Sequence, residues 1–131
     1  MTIRAGRYAR RGRDIGVALD YSDASIEDAE RLGRRLFAGL PGGLSDEVAE
    51  ELRGRLVLEL GAYFGQTFIR NHGGRWGWLT IGGRRVFALR TDSGFAAFPT
   101  SKAGRRLRGE EPDSLADLYR TLADWRPVPR L

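Results

Sequence analysis

The chain has 131 residues, 41% hydrophobic and 10% aromatic, enough to build one core and too apolar for a wholly disordered chain. It has no cysteine and one histidine, which excludes a disulfide scaffold, a thiolate metal site, a cysteine nucleophile and a histidine metal cluster. The formal net charge of +5 is unevenly laid out: residues 1–13 carry +5, residues 23–60 carry −4, residues 70–108 carry +8 and residues 109–131 carry −2.

Residues 1–13 hold five arginines, no acid and no evident hydrophobic period, and read as a flexible basic arm. Residues 14–131 read as a single α+β domain. Ile15 to Leu19 is a short apolar run, a strand or an extended segment, too short and too glycine-broken for a signal peptide. Ser22 or Asp23 is placed to cap a helix whose stripe is Ile26, Ala29, Leu32, Leu36 and Phe37. Gly39 to Gly43 breaks it. Ser45 caps a longer helix with Val48, Leu52, Leu56, Leu60, Phe64 and Phe68 every fourth residue, stopped by Gly73-Gly74. Its length invites a kink near Gly61 or Gly65.

The period then changes to two. Residues 75–81 and 84–90 flank Gly82-Gly83, the composition of a two-residue hairpin turn, which pairs Ile81 with Arg84, Trp78 with Phe87 and Trp76 with Leu89. Phe95 to Phe98 reads as a third strand. A two-residue turn at Ser93-Gly94 sets Phe98 opposite Leu89, and Trp76 and Trp78 then belong to the core. Residues 100–109 read as a short helical turn with a loop. Asp113 or Ser114 caps a last helix, with Ser114 and Asp117 as a capping box and Pro127 as the stop. The expected fold is therefore α+β, three helices packed on one face of a three-stranded antiparallel meander. No run of roughly 18 apolar residues is present to cross a membrane.

Chemistry-bearing patterns are sparse. Asp20 closes a turn before a helix, and His72 sits at a helix end, where it satisfies a carbonyl. The Glu50-Glu51 and Glu110-Glu111 neighbours do not make a matched acid–base pair. The glycine pairs are turn residues, since none lies between a strand and a helix with a lysine behind it. Gly61 and Gly65 stand one turn apart, which suits close packing by a neighbouring element, or alternatively a homodimer contact. No cofactor, metal site or catalytic residue is expected.

Leu19-Asp-Tyr-Ser22 followed by Ser25-Ile26, Leu60-Gly-Ala-Tyr-Phe-Gly65, and Gly73-Gly-Arg-Trp76, in this order, resemble the LDYSxxS, GAYxGE and GGRW motifs of small domains common in actinobacteria and related bacteria. The resemblance spans roughly residues 15–125 and implies a cytoplasmic bacterial domain without an established activity. Gln66 stands where those domains carry glutamate, so no carboxylate chemistry is implied there.

The expected function is that of a non-catalytic interaction module with a protein partner. The alternative is non-specific nucleic-acid binding by a basic sheet face and the arm. The hairpin parity puts Arg75, Arg84 and Arg90 on the face opposite the tryptophans, and Lys102, Arg105, Arg106 and Arg108 follow in the next segment. Arginine outnumbers lysine 21 to 1, which also fits a GC-rich coding sequence.

Overall fold

In the computed structural model, which describes residues 1–126, five helices and one antiparallel sheet follow one another along the chain. They are α1 (Thr2–Asp14), α2 (Ser25–Ala38), α3 (Asp46–His72), β1 (Arg75–Ile81), β2 (Arg84–Arg90), β3 (Ala96–Ala97), α4 (Pro99–Leu107) and α5 (Leu115–Asp124). The fold class is α+β, with five helices where three were expected. The two additional helices are the segment read as an arm and the segment read as a short turn. Pro127, the expected stop of the last helix, lies outside the described residues.

The basic N-terminus is thus not a loose arm. Ala5, Tyr8, Ala9 and Gly12 recur at helical spacing and are buried, while Arg4, Arg7, Arg10 and Arg13 point outward. The Tyr8 hydroxyl donates to the Ala29 carbonyl at 2.6 Å, which ties α1 to α2. Burial, reinforced by the nearby Glu59 carboxylate, pushes the Tyr8 phenol far above its ordinary pKa, so it stays a donor. Arg11 clamps both oxygens of Glu59 on α3, at 2.6 and 3.0 Å.

Helix α3 is the axis of the molecule. From Leu56 to Phe68 it is buried nearly all round, and α1, α2, α4 and α5 pack against it. The core is therefore helical and not a helical layer on one sheet face. In the sheet only Ala88, Leu89 and Ala97 are buried hydrophobic residues. Ser45 accepts from the Val48 amide at 3.2 Å, and Gly73 ends the helix at φ 78°, as the sequence predicts. The helix runs unbroken for 27 residues. Its glycines serve close approach: a methyl group at Gly61 would stand 2.5 Å from Thr100 Oγ1, and one at Gly65 would overlap the Trp76 indole. Both glycines face elements of their own chain, so they do not form a homodimer surface.

The hairpin has the expected register, with Trp76 opposite Leu89, Trp78 opposite Phe87 and Ile81 opposite Arg84. Gly82 and Gly83 both have positive φ, as a two-residue turn of this kind requires. The next connection differs from expectation. The Thr91 amide donates to the Phe95 carbonyl at 2.9 Å, so three residues form the loop, with Gly94 at φ 93°. That extra residue sets Ala97, not Phe98, opposite Leu89. Pro99 then starts α4 at once and cuts β3 to two residues.

Ser114 accepts from the Asp117 amide at 3.1 Å and caps α5. Ser114→Ala is expected to cost about 1 kcal/mol of stability in urea denaturation, with Asn at that position nearly neutral. Among the described residues no helix is long and apolar enough to cross a membrane.

Candidate functional site

The hairpin alternation sorts its side chains into two faces. Arg75 and Arg90 stand directly opposite one another, and Arg84 shares their face nearer the turn, opposite Ile81. All three are exposed, and none pairs with a carboxylate among the described residues. Like charges directly across a ladder work against the sheet's own stability.

The other four expected cations behave differently. Lys102 Nζ lies 3.1 Å and Arg105 Nε 3.6 Å from Glu111, while Arg106 Nε lies 3.2 Å from Glu30. Arg106 also donates to the carbonyls of Glu111 and Pro112. Arg108 reaches both oxygens of Glu50, at 2.6 and 3.3 Å. The Lys102 ammonium holds the Glu111 carboxyl below the usual carboxylate range, and the Arg108 guanidinium does the same to Glu50. These cations staple α4 to α2, α3 and the loop before α5. The expected basic patch is thus split into an unpaired half on the hairpin and a neutralised half on α4.

Three further arginines join the unpaired half: Arg4 and Arg7, which the sequence places in the basic arm, and Arg85, which it does not single out. Arg85 lies on the tryptophan face, and Arg4 and Arg7 project from α1. Trp78 is 57% exposed, so only the root of that face, where Trp76 lies on Gly65, enters the core. The Trp76 ring stacks on Phe87 at 5.5 Å, and Trp78 meets the same Phe87 edge-on at 4.9 Å. The Arg85 guanidinium rides over the Trp78 ring, 4.8 Å from its centroid. Between this face and the starts of α1 and α4 runs a groove of about 500 Å³, lined by Met1, Arg4, Leu58, Trp78, Arg85 and Thr100 among others. A second hollow of about 560 Å³ shares Arg4, Leu58 and Thr100 and adds Arg7.

The residues of the three sequence motifs converge elsewhere and hold the fold together. The Tyr21 amide donates to the Tyr63 hydroxyl at 3.0 Å, and Ser25 Oγ shares a hydrogen bond with the same hydroxyl at 2.7 Å. Asn71 Nδ2 donates to the Tyr21 carbonyl at 2.8 Å, and Tyr21 is held at φ 61°. Asp20 accepts from the Ser22 amide, a bond that, with the Ser22 hydroxyl, keeps its carboxyl below the ordinary range. His72 does not satisfy a carbonyl: its Nε2 lies 3.0 Å from Asp23 Oδ1, which also accepts from the Tyr119 hydroxyl. Burial pushes both the Tyr63 and Tyr119 phenols above their usual pKa. Gln66 accepts from Trp76 Nε1 at 3.0 Å and donates to Thr2 Oγ1 at 2.9 Å, which makes it a tie between α1, α3 and β1. Among the described residues no three His, Asp or Glu side chains converge so as to hold a metal ion.

Comparison of the chain with protein-family models, with curated proteins and with solved structures returns no match.

Proposed function

We propose that the protein is a non-catalytic module that binds the phosphate backbone of nucleic acid on its β-hairpin. The observation that carries this reading is the separation of the cations: those of α4, and Arg108 just after it, are consumed by carboxylates, whereas Arg75, Arg84 and Arg90 share one sheet face without such partners among the described residues. Unpaired arginines on an exposed ribbon release counterions when they meet phosphates, and this drives association without any base contact. The same face argues against the protein partner that the sequence favours. Stable protein interfaces carry an apolar centre, but Leu79 and Val86 are half-buried, Ala88 is buried, and Ile81 is the one large exposed apolar side chain there. The non-catalytic part of the reading rests on the roles of the titratable groups, since Asp20, Asp23, His72, Tyr63 and Tyr119 are engaged with one another or with backbone.

The test is a titration of labelled RNA and DNA at two salt concentrations. Affinity is expected to fall steeply between about 50 and 200 mM salt. Arg84→Glu with Arg90→Glu is expected to weaken binding and to reduce the salt slope by about 2, while Arg105→Glu leaves the slope unchanged. Absence of binding at low salt, or equal loss with Arg105→Glu, would refute the assignment.

A further inference from the structure

The groove on the opposite face of the hairpin adds what a purely electrostatic surface lacks. We propose that this groove receives a single strand, with one base stacked on Trp78 and the adjoining phosphates held by Arg4, Arg7 and Arg85. The inference rests on the nucleic-acid reading above and narrows it to unpaired nucleotides.

Trp78 is the most exposed of the aromatic side chains that the sheet presents, and it is already braced edge-on by Phe87. A ring held in place in this way loses little freedom when a base stacks on it. The Arg85 guanidinium lies over the same ring, 4.8 Å from its centroid, so a base that stacks on that side displaces it and frees it to meet the adjoining phosphate. Charge in the groove is of one sign: Arg4 and Arg85 line it, and no carboxylate does so among the described residues. The adjoining hollow extends the path past Arg7. Its acids are already engaged, Glu51 with Arg55 and Glu59 with Arg11. A duplex buries the π-faces of its bases within the stack, so it can use the arginines but not the ring. An acidic peptide could use the cations but gains nothing from the stacking geometry. The aliphatic floor of Leu58, together with the Trp78 and Phe87 rings, suits a planar base.

A free nucleotide presents the same base and phosphate chemistry, so the experiment separates it from a strand. A labelled single-stranded oligonucleotide, a duplex of the same sequence, adenosine monophosphate and polyglutamate are each titrated into the full chain at about 50 mM salt. The single strand is expected to bind more tightly than all three others. Trp78→Ala is expected to weaken single-strand binding roughly 5- to 150-fold, the worth of one stacked base, with the duplex affinity and the salt slope unchanged. Trp78→Phe restores most of the loss, which separates stacking from misfolding. Arg84→Glu with Arg90→Glu, by contrast, weakens single strand and duplex alike. If Trp78→Ala changes nothing while that double variant still weakens binding, the groove proposal falls and the phosphate-binding surface stands. If polyglutamate binds as tightly as the single strand, or neither nucleic acid binds, both fall. Adenosine monophosphate matching the oligonucleotide would overturn the strand assignment.

Discussion

Arg11→Met is expected to destabilise the protein by about 3 kcal/mol, the lower end of the cost of leaving a buried charge without its partner. The Glu59 side chain is 2% exposed, and both its oxygens face the Arg11 guanidinium. Removing the guanidinium leaves that carboxylate in the helical core with no cation to offset its lost hydration. Arg11 itself is partly open to water, which lets solvent relieve part of the penalty and keeps the expectation at the lower end. Its hydrogen bond to Glu59 raises the guanidinium pKa, so the pair stays ionised on the Arg11 side. Arg11→Met combined with Glu59→Leu should recover most of the loss, because an apolar pair of similar volume needs no compensation. Guanidinium denaturation of the unaltered protein and the two variants measures this directly. A loss below about 1 kcal/mol for Arg11→Met would mean that the Arg11–Glu59 pair contributes little to the fold.

Gly65→Ala is expected to destabilise by about 1–3 kcal/mol, the usual cost of overpacking. The substitution would ordinarily favour a helix by close to 1 kcal/mol. Here the new methyl group overlaps Trp76, whose indole is fixed by Gln66 and by stacking on Phe87. Gly54, on the same helix, has nothing within 4 Å of a methyl group, so Gly54→Ala should instead gain up to about 1 kcal/mol. Thermal unfolding of the two variants should therefore move in opposite directions. A gain at Gly65 would show that the indole shifts freely and that the hairpin is loosely seated on α3.

Much of this architecture is legible in the chain. Ser45 and Ser114 announce their helices because a cap is a local hydrogen bond within three residues. Gly82-Gly83 fixes the hairpin register because turn type and register are the same geometric fact. Helix α1 is hidden because its buried stripe is two alanines, a glycine and one tyrosine, small residues that carry little hydrophobic signal beside five arginines. The third strand slips because one extra loop residue reverses every facing beyond it. For the site, parity places Arg75, Arg84 and Arg90 together, and the structure keeps that grouping. Charge counts alone do not separate them from the α4 cations, whose partners Glu30 and Glu50 lie far away in sequence. The exposure of Trp78 was equally hidden. Alternation gives the face a residue occupies, but not how far along the strand the helical body reaches, and α3 covers only the Trp76 end.

Chemical-shift mapping during titration with a single-stranded oligonucleotide addresses the central claim most directly, because it reports both faces of the hairpin and α4 in one experiment. The indole N–H of Trp78 and the amides of Arg84, Arg85 and Arg90, with those of Arg4 and Arg7, are expected to shift together and to saturate with one affinity. The amides of Lys102, Arg105, Arg106 and Arg108 should stay in place, since their side chains remain with Glu111, Glu30 and Glu50. Shifts concentrated on α4, or a saturated complex in which the Trp78 indole does not move, would contradict the account.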